Sequence, residues 1–173
     1  MQRNESLIRL RNLLIALAIF AALAFYASTY AVPVLRVSVM PDQPPPVLRR
    51  KLIPLTDYLG DKIGIKMEFR PVASGDALVD ALLGHQLDMV WINGPELERA
   101  KSRSDGRVMP LVKREADDDT PGHDDYTWAV RTDMDADLRQ KITAALLALD
   151  RRNGRDREIL DLQRASRYIP AAR

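Results

Sequence analysis

The feature that most constrains the fold is an apolar run that stops at Asn93-Gly94. The run Leu87–Ile92 (LDMVWI) is almost continuously apolar, which predicts a strand buried on both faces of a sheet. Pro95 follows, and proline is favoured at the first position of a helix because its missing N–H has no helical partner there. A helix is therefore predicted over Pro95–Lys101. A strand, a sharp turn and a helix start are typical of a ligand site beside the carboxyl edge of a parallel sheet.

Around this unit, strands and helices alternate along the chain. The order is βαβαβα, followed by two strands and two helices, which predicts an α/β fold with three αβα layers and a mostly parallel sheet. Strands are predicted at Val34–Met40, Ile65–Arg70, Leu87–Ile92, Arg107–Lys113 and Tyr126–Arg131, and helices from about Val47 until Gly60 and Gly64 and over Gly75–Leu83, Pro95–Lys101, Met134–Asp150 and Arg155–Arg164.

Four residues carry specific local predictions. Pro54 lies inside a helical pattern and is expected to kink that helix or split it in two. Pro110 cannot donate to a strand ladder, so its strand is expected at an edge of the sheet. Ser74 and Asp133 precede apolar helical patterns and are predicted to cap the helices that follow.

The N-terminal segment combines a positively charged start with a long apolar run. Residues 1–12 contain three arginines and one glutamate, and no charged residue occurs from 13 to 35. This pattern predicts a cytoplasmic segment at 1–12 and a transmembrane signal anchor at 13–33, because about 20 apolar residues span a bilayer. A cleaved signal peptide ending near Ala31 is the alternative.

Composition excludes several classes of site. The 173 residues contain no cysteine and only two histidines, so disulfides, thiolate metal sites and multi-histidine metal sites are excluded. A net charge of +2 without a basic stripe argues against nucleic-acid binding. The sequence contains no phosphate-binding glycine loop and no catalytic triad pattern, so neither an enzyme nor a cofactor is expected.

Several segments taken in order resemble one family, the periplasmic substrate-binding proteins of phosphonate, phosphite and phosphate ABC transporters. The matching segments of the first lobe are LRVSVMPDQPP, RRKLIPLTDYLGDKIGIKMEF, DALVDALLGHQLDMVWINGPELERA and GRVMPLVKRE. The segment YTWAVRTDMDADLRQKITAALLALD with RYIPA resembles the part of the family chain that returns to that lobe. The resemblance covers nearly all of residues 34–170.

The resemblance implies a single lobe at 34–170 that faces the periplasm from the bacterial inner membrane, or lies free in the periplasm after cleavage near Ala31. In the family a second lobe lies between the VxPL strand and the returning segment. Here an acidic loop at 115–125 replaces it, so the hinge closure that buries a ligand is lost. The family tyrosines that match Gly75 or Asp76, and the turn after Ile92, are also absent. Oxyanion binding is therefore expected to be weak or lost.

The candidate ligand contacts lie where the first and third strands end and where the second and third helices begin. Backbone N–H groups at a helix start bind anions, although each residue also has a plainer role as a turn, a polar loop or a helix cap. Glu96 and Glu98 suit the helix dipole but repel an anion. The candidates for a small oxyanion are Ser38, Asp42, Gln43, Ser74, Asn93 and Gly94.

A second set of residues is predicted to contact partner subunits. The C-terminal part is rich in arginine, and Trp128 and Tyr126 alternate along a strand, where they are either core or contact residues. Trp91 is interpreted as core rather than as a stacking surface, and the acidic loop as a solvated linker rather than a cation site. The candidate partner contacts are Trp128, Tyr126, Arg151, Arg152 and Arg155.

Two hypotheses for function remain open. In the first, the chain is a membrane-anchored, single-lobe relative of an ABC-transporter substrate-binding component. In the second, it is a non-catalytic accessory subunit whose lobe caps a membrane complex on the periplasmic side.

Overall fold

A computed structural model describes residues 13, 15–20, 34–116 and 126–171. The chain divides into two compact units, Met1–Pro33 and Val34–Arg173. Residues 13 and 15–20 are helical, and the remainder of the predicted 1–12 segment and 13–33 anchor, with the alternative cleavage site near Ala31, lies outside the described residues. Among the residues that are described, no helix combines the length and the apolarity needed to cross a membrane.

The larger unit is an α/β fold around a six-stranded sheet whose strand order is β2-β1-β3-β5-β4-β6. The strands and helices alternate through the first two thirds of this unit, as the sequence predicts. The elements are β1 (Val34–Val39), α1 (Pro45–Ile63), β2 (Lys66–Phe69), α2 (Gly75–Leu83), β3 (Met89–Ile92), α3 (Gly94–Arg103), β4 (Val108–Ala116), β5 (Thr127–Arg131), α4 (Ala136–Leu147), α5 (Gly154–Leu162) and β6 (Ala165–Pro170).

The sheet is mixed, so the prediction of a mostly parallel sheet is wrong. β1 is parallel to β2 and β3, whereas the pairs β3–β5, β5–β4 and β4–β6 are antiparallel. A parallel pair needs a long crossover, usually a helix, and the chain between β4 and β5 is too short for one. β6 is a strand that the sequence analysis did not predict.

Both internal prolines lie within continuous elements. α1 runs through Pro54 without being split in two, and five of its side chains are buried against the rest of the lobe, whereas the predicted kink stays a prediction. β4 lies between β5 and β6 and not at an edge. Pro110 is tolerated because the β6 pairing begins only at Val112, so no strand on that side needs its missing N–H.

The helices form one layer on each face of the sheet, which confirms the three-layer architecture. α1, α4 and α5 cover one face and pack with β1 side chains such as Val37, while α2 and α3 cover the other with Val90 and Ile92. The buried hydroxyl of Tyr58 donates a hydrogen bond of 2.9 Å to the Ala145 carbonyl and so ties α1 to α4.

Asp88, one residue before β3, fastens that strand to β1. Its carboxylate accepts a 2.8 Å hydrogen bond from the Arg36 backbone N–H and two more, of 2.9 and 2.8 Å, from the Arg36 guanidinium. The guanidinium of Arg131 lies 3.8 Å from the Asp88 carboxylate. Burial raises the pKa of Asp88, but the Arg36 hydrogen bonds and the positive charges of Arg36 and Arg131 together hold it below its ordinary value.

The outer strands β2 and β6 carry charged residues. Lys66 and Glu68 alternate along β2, where Glu68 accepts a 3.0 Å hydrogen bond from Arg70. In β6, Arg167 pairs with Glu115 of β4, and Pro170 ends the strand. Glu115 therefore belongs to a strand and not to the predicted acidic loop, of which residues 117–125 lie outside the described part.

Candidate functional site

The carboxyl ends of β1 and β3 meet at one edge of the sheet, as the strand-turn-helix pattern predicts. The Met40 N–H donates to the Trp91 carbonyl at 3.0 Å just beyond the end of β1. β5 begins at this edge, since Thr127 lies opposite Ile92. The starts of α2 and α3 and the loop that leads into α1 therefore lie at this edge.

Ser74 and Asn93 serve as helix caps in the structure. The Ser74 hydroxyl accepts the Ala77 N–H at 3.1 Å, and the Asn93 side-chain oxygen accepts the Glu96 N–H at 3.1 Å. Each cap satisfies a backbone donor that an anion would otherwise use. The helix after Asn93 begins at Gly94, one residue earlier than predicted.

The carboxylate of Glu96 lies over the start of α2. A Cβ atom placed on Gly75 would come within 3.1 Å of the Glu96 Cγ and 3.5 Å of its Oε1. The Glu96 side chain is only 16% exposed, and Arg99 approaches it at 3.8 Å while binding Asp76 at 2.9 Å. A negative charge therefore already fills the space between the two helix starts, where both helix dipoles favour it.

Ser38 is completely buried in β1. Its neighbours Val37 and Val39 belong to the core under α1, so alternation along the strand turns Ser38 towards the α2 and α3 layer. Its hydroxyl oxygen has no hydrogen-bond partner among the described residues. Ser38 thus lies on the Glu96 side of the sheet but beneath the surface.

Asp42 and Gln43 line a cavity that reaches the same edge from the α1 and α5 side of the sheet, and Met40, which also lies beside Gly75, borders it. This cavity has a volume of about 240 Å³ and is bounded by the loop after β1, by α1 and by the turn between α5 and β6. Its lining includes three cationic residues, Lys51, Arg114 and Arg164, which the sequence analysis did not single out. Nothing local in the sequence marks them, because the cavity depends on packing between distant segments.

An aromatic cluster forms one wall of this cavity. The rings of Trp91 and Tyr126 are stacked with centroids 5.4 Å apart, and Trp91 also contacts Trp128 at 5.0 Å. The Trp128 indole N–H donates to the Tyr168 hydroxyl at 3.4 Å. Burial raises the pKa of Tyr168 far above its ordinary value.

Trp128 cannot be a partner contact as predicted, because none of its surface is exposed. Its strand is covered by helices on both faces of the sheet, so the alternation that looked exposed in the sequence is buried. Trp91 is a core residue, as predicted, with 7% of its surface exposed, and it also lines the cavity with Tyr126.

The three candidate arginines of the C-terminal part form contacts within the chain. Arg151 donates to the Ala165 carbonyl at 2.9 Å, Arg152 binds Asp150, and Arg155 binds Asp61 at 3.0 Å. Hydrogen bonds from Arg152 lower the pKa of Asp150 to about 2. A role in binding partners stays a prediction for these arginines. Within the described residues no group of acidic and histidine side chains is arranged to hold a metal ion.

Comparison with known proteins gives one family match. A family described as "ABC transporter, phosphonate, periplasmic substrate-binding protein" matches residues 37–126, just over half of the chain. No curated protein matches the sequence.

Solved structures share the fold at low sequence identity. PhnD1 from Prochlorococcus marinus, solved with methylphosphonate, is 14% identical with a TM-score of 0.71, and the match covers 80% of this chain and 92% of that one. A binding-protein component of an ABC phosphonate transporter from Pseudomonas aeruginosa is 7% identical, with a TM-score of 0.71 and coverage of 80% and 82%. XAC2383 from Xanthomonas citri, bound to ATP, is 12% identical with a TM-score of 0.65 and coverage of 80% and 91%. At these identities the likeness shows the fold alone.

Proposed function

We propose that this chain, which belongs to the family of periplasmic substrate-binding proteins of phosphonate ABC transporters, is a single-lobe member that captures small oxyanions weakly or not at all. Its segment 13–33 anchors it in the inner membrane, with the lobe in the periplasm. We expect the protein to have no catalytic activity. The observation that carries this proposal is the Glu96 carboxylate between the starts of α2 and α3.

The position of Glu96 opposes an incoming anion electrostatically. Two unit charges about 5 Å apart repel by roughly 3 kcal/mol at an effective dielectric constant of about 20. The donors that remain are few, because Ser74 and Asn93 cap their own helices. Arg99 is held by Asp76 and turned to Glu96, so its charge is already balanced.

The short connection between β4 and β5 supports the single-lobe proposal. These strands pair antiparallel from Val108 to Lys113, and Val34–Arg173 forms one compact unit. In the family a second lobe lies at this point of the chain. Without it, a ligand at the carboxyl edge stays in contact with water, and an exposed site gives low affinity because little of the ligand surface is buried.

Calorimetric titration of the full chain in mild detergent tests the proposal. We expect phosphate, phosphite and methylphosphonate to bind with Kd values of about 1 mM or weaker. Removing the charge in Glu96→Gln should tighten methylphosphonate binding about tenfold, since the repulsion is lost. Glu98→Gln is the matched control, because Glu98 lies in the same helix, is 72% exposed and pairs with Lys101.

Two results would contradict the proposal. Micromolar binding by the unaltered protein would show that capture is intact. An equal effect of the Glu96 and Glu98 substitutions would show that only net charge matters and that the position of Glu96 is irrelevant.

A role as an accessory subunit is the second candidate, favoured by the same filled site. A lobe whose anion site is occupied by its own side chain is suited to a role in a complex that does not require the family ligand. If this candidate is correct, the tagged full chain purified in mild detergent should retain the transmembrane and ATPase subunits of an ABC transporter in fixed stoichiometry. Purification of the chain alone, with those subunits present in the membrane extract, would exclude it.

A further inference from the structure

The pair Asn-Gly occurs twice in the chain, at Asn93-Gly94 and Asn153-Gly154, and each asparagine caps the helix that follows. An asparagine followed by glycine loses its side-chain amide readily, because glycine has no Cβ atom to hinder attack by its own backbone nitrogen. We infer that Asn153 is a site of spontaneous deamidation in this protein, and that the position of Asn93 in the fold protects it from the same reaction.

The only co-reactant is water. The backbone nitrogen of Gly154 gives up its proton to solvent and bonds to the Cγ atom of Asn153, while the bond from Cγ to Nδ2 breaks and Nδ2 leaves as ammonia. Water then opens the cyclic imide at either of its carbonyl groups. One opening gives aspartate, and the other gives isoaspartate, in which the main chain runs through the former side chain. The net reaction consumes a water molecule and releases an ammonia molecule.

Both glycines are sterically open to this reaction. A Cβ atom built on Gly94 or on Gly154 would have no heavy atom within 4 Å. Among the described residues neither glycine N–H has a hydrogen-bond partner, as is usual for the first residue of a helix. The difference between the two pairs therefore depends on how firmly each helix start is held.

The start of α3 is held by the core on both sides of Asn93. Ile92, the residue before it, is completely buried in β3, and Leu97 in the following turn is only 7% exposed. Asn93 itself is half-buried, and its side-chain oxygen accepts the Glu96 N–H at 3.1 Å. Bringing Cγ onto the glycine nitrogen requires a rotation of the Asn93 backbone, which would shift α3 against the sheet.

The start of α5 is held by polar contacts alone. Asn153 and Gly154 are both exposed, and they follow Arg152, whose side chain is 92% exposed. The Asn153 side-chain oxygen accepts the Arg155 N–H at 3.0 Å, and the first buried apolar residue of this helix is Ile159, in its second turn. Exposed helix ends open locally at a low free-energy cost. Asn153 therefore reaches the reactive geometry in openings that leave the core intact.

Deamidation at this position changes the charge of the predicted partner surface. Aspartate caps a helix about as well as asparagine does, and the helix dipole favours its negative charge. The new carboxylate lies between Arg152 and Arg155 in the sequence, two of the predicted partner contacts. The isoaspartate product instead lengthens the main chain and displaces the capping oxygen, so it should weaken the first turn of α5.

Ageing of the purified full chain in mild detergent, at mildly alkaline pH and physiological temperature, tests the inference. We expect fragment mass spectrometry to locate an amide-to-acid conversion at Asn153, at a rate roughly tenfold or more above that at Asn93. The rate should rise with pH, because the glycine nitrogen must lose its proton. In water enriched in heavy oxygen, the product should carry the label, because water opens the imide.

Two alanine variants provide the matched comparison, since both glycines have room for a Cβ atom. Gly154→Ala should slow the conversion of Asn153 strongly, whereas Gly94→Ala should leave its rate unchanged. Absence of conversion at Asn153, or conversion at Asn93 that is as fast, overturns the inference. Conversion of Asn153 at an equal rate in Gly154→Ala also overturns it, because direct hydrolysis of the side chain would not involve the glycine nitrogen.

Discussion

Replacing Asp88 with asparagine is expected to lower the free energy of unfolding by about 3 kcal/mol, because the partly buried Arg36 and Arg131 lose their anionic partner. The Asp88 carboxylate accepts three hydrogen bonds from Arg36 and ties β1 to β3 at the centre of the sheet. Urea unfolding followed by circular dichroism measures the loss. The matched control is Asp133→Asn, which removes the 55% exposed acid on the other side of Arg131 and should cost less than about 1 kcal/mol.

The lowered pKa of Asp88 also determines how its contribution to stability changes with pH. The pKa of Asp88 is lower in the folded protein than its ordinary value, so its contribution is fully present above the unfolded pKa of about 3.9 and is lost as the pH falls through the folded pKa. The difference in stability between the unaltered protein and Asp88→Asn should therefore shrink below about pH 4. A difference that stays constant down to pH 2 would assign the effect to packing instead of charge.

Replacing Trp128 with alanine is expected to lower the free energy of unfolding by about 4 kcal/mol. Trp128 is completely buried, contacts Trp91 and donates to Tyr168, so its removal leaves a cavity at the centre of the aromatic cluster. Chemical unfolding measures the loss, and the near-ultraviolet circular dichroism of the cluster should weaken with it. Trp128→Phe keeps most of the volume and should cost less than half as much.

The same measurement distinguishes a core position of Trp128 from a surface position that contacts a partner. If Trp128 instead contacts a partner, which is the alternative that its sequence pattern left open, the alanine variant would keep its stability as an isolated chain and lose only association. A loss below about 1 kcal/mol would contradict the buried position that the structure assigns to it.

Local signals in the sequence predicted most elements of the fold. The apolar run of β3, the Ser74 cap and Gly64 at the end of α1 all appear as expected, because each depends on a few neighbouring residues. The cap of α4 is Asp135 and not Asp133. Both aspartates fit the local pattern, and Asp133 instead binds Arg131.

Long-range pairing could not be predicted in the same way. The direction of β5 and the existence of β6 depend on which strands meet, and no short pattern encodes that choice. β6 contains Arg167 and Pro170, which weaken its strand signal, yet Tyr168 anchors it in the core. The resemblance to a known family identified the overall class, but it did not reveal the mixed sheet.

The site was predicted in part. The sequence located the carboxyl edge and the repulsive charge of Glu96, since both follow from a helix start after a buried strand. It did not separate Asp42 and Gln43 from the other candidates, because the two faces of a sheet are distinguished only once the strands are placed. Lys51 and Arg114 were missed because they meet only through the packing of α1 against β4 and α5.

Both outer strands of the sheet are poor templates for another polypeptide. A strand added to β2 would lie beside the alternating charges of Lys66 and Glu68, and one added to β6 would meet Arg167 and the missing N–H of Pro170. Charges and proline at sheet edges block strand-by-strand aggregation. Folded copies of the lobe are therefore protected from edge-to-edge strand pairing even at high local concentration.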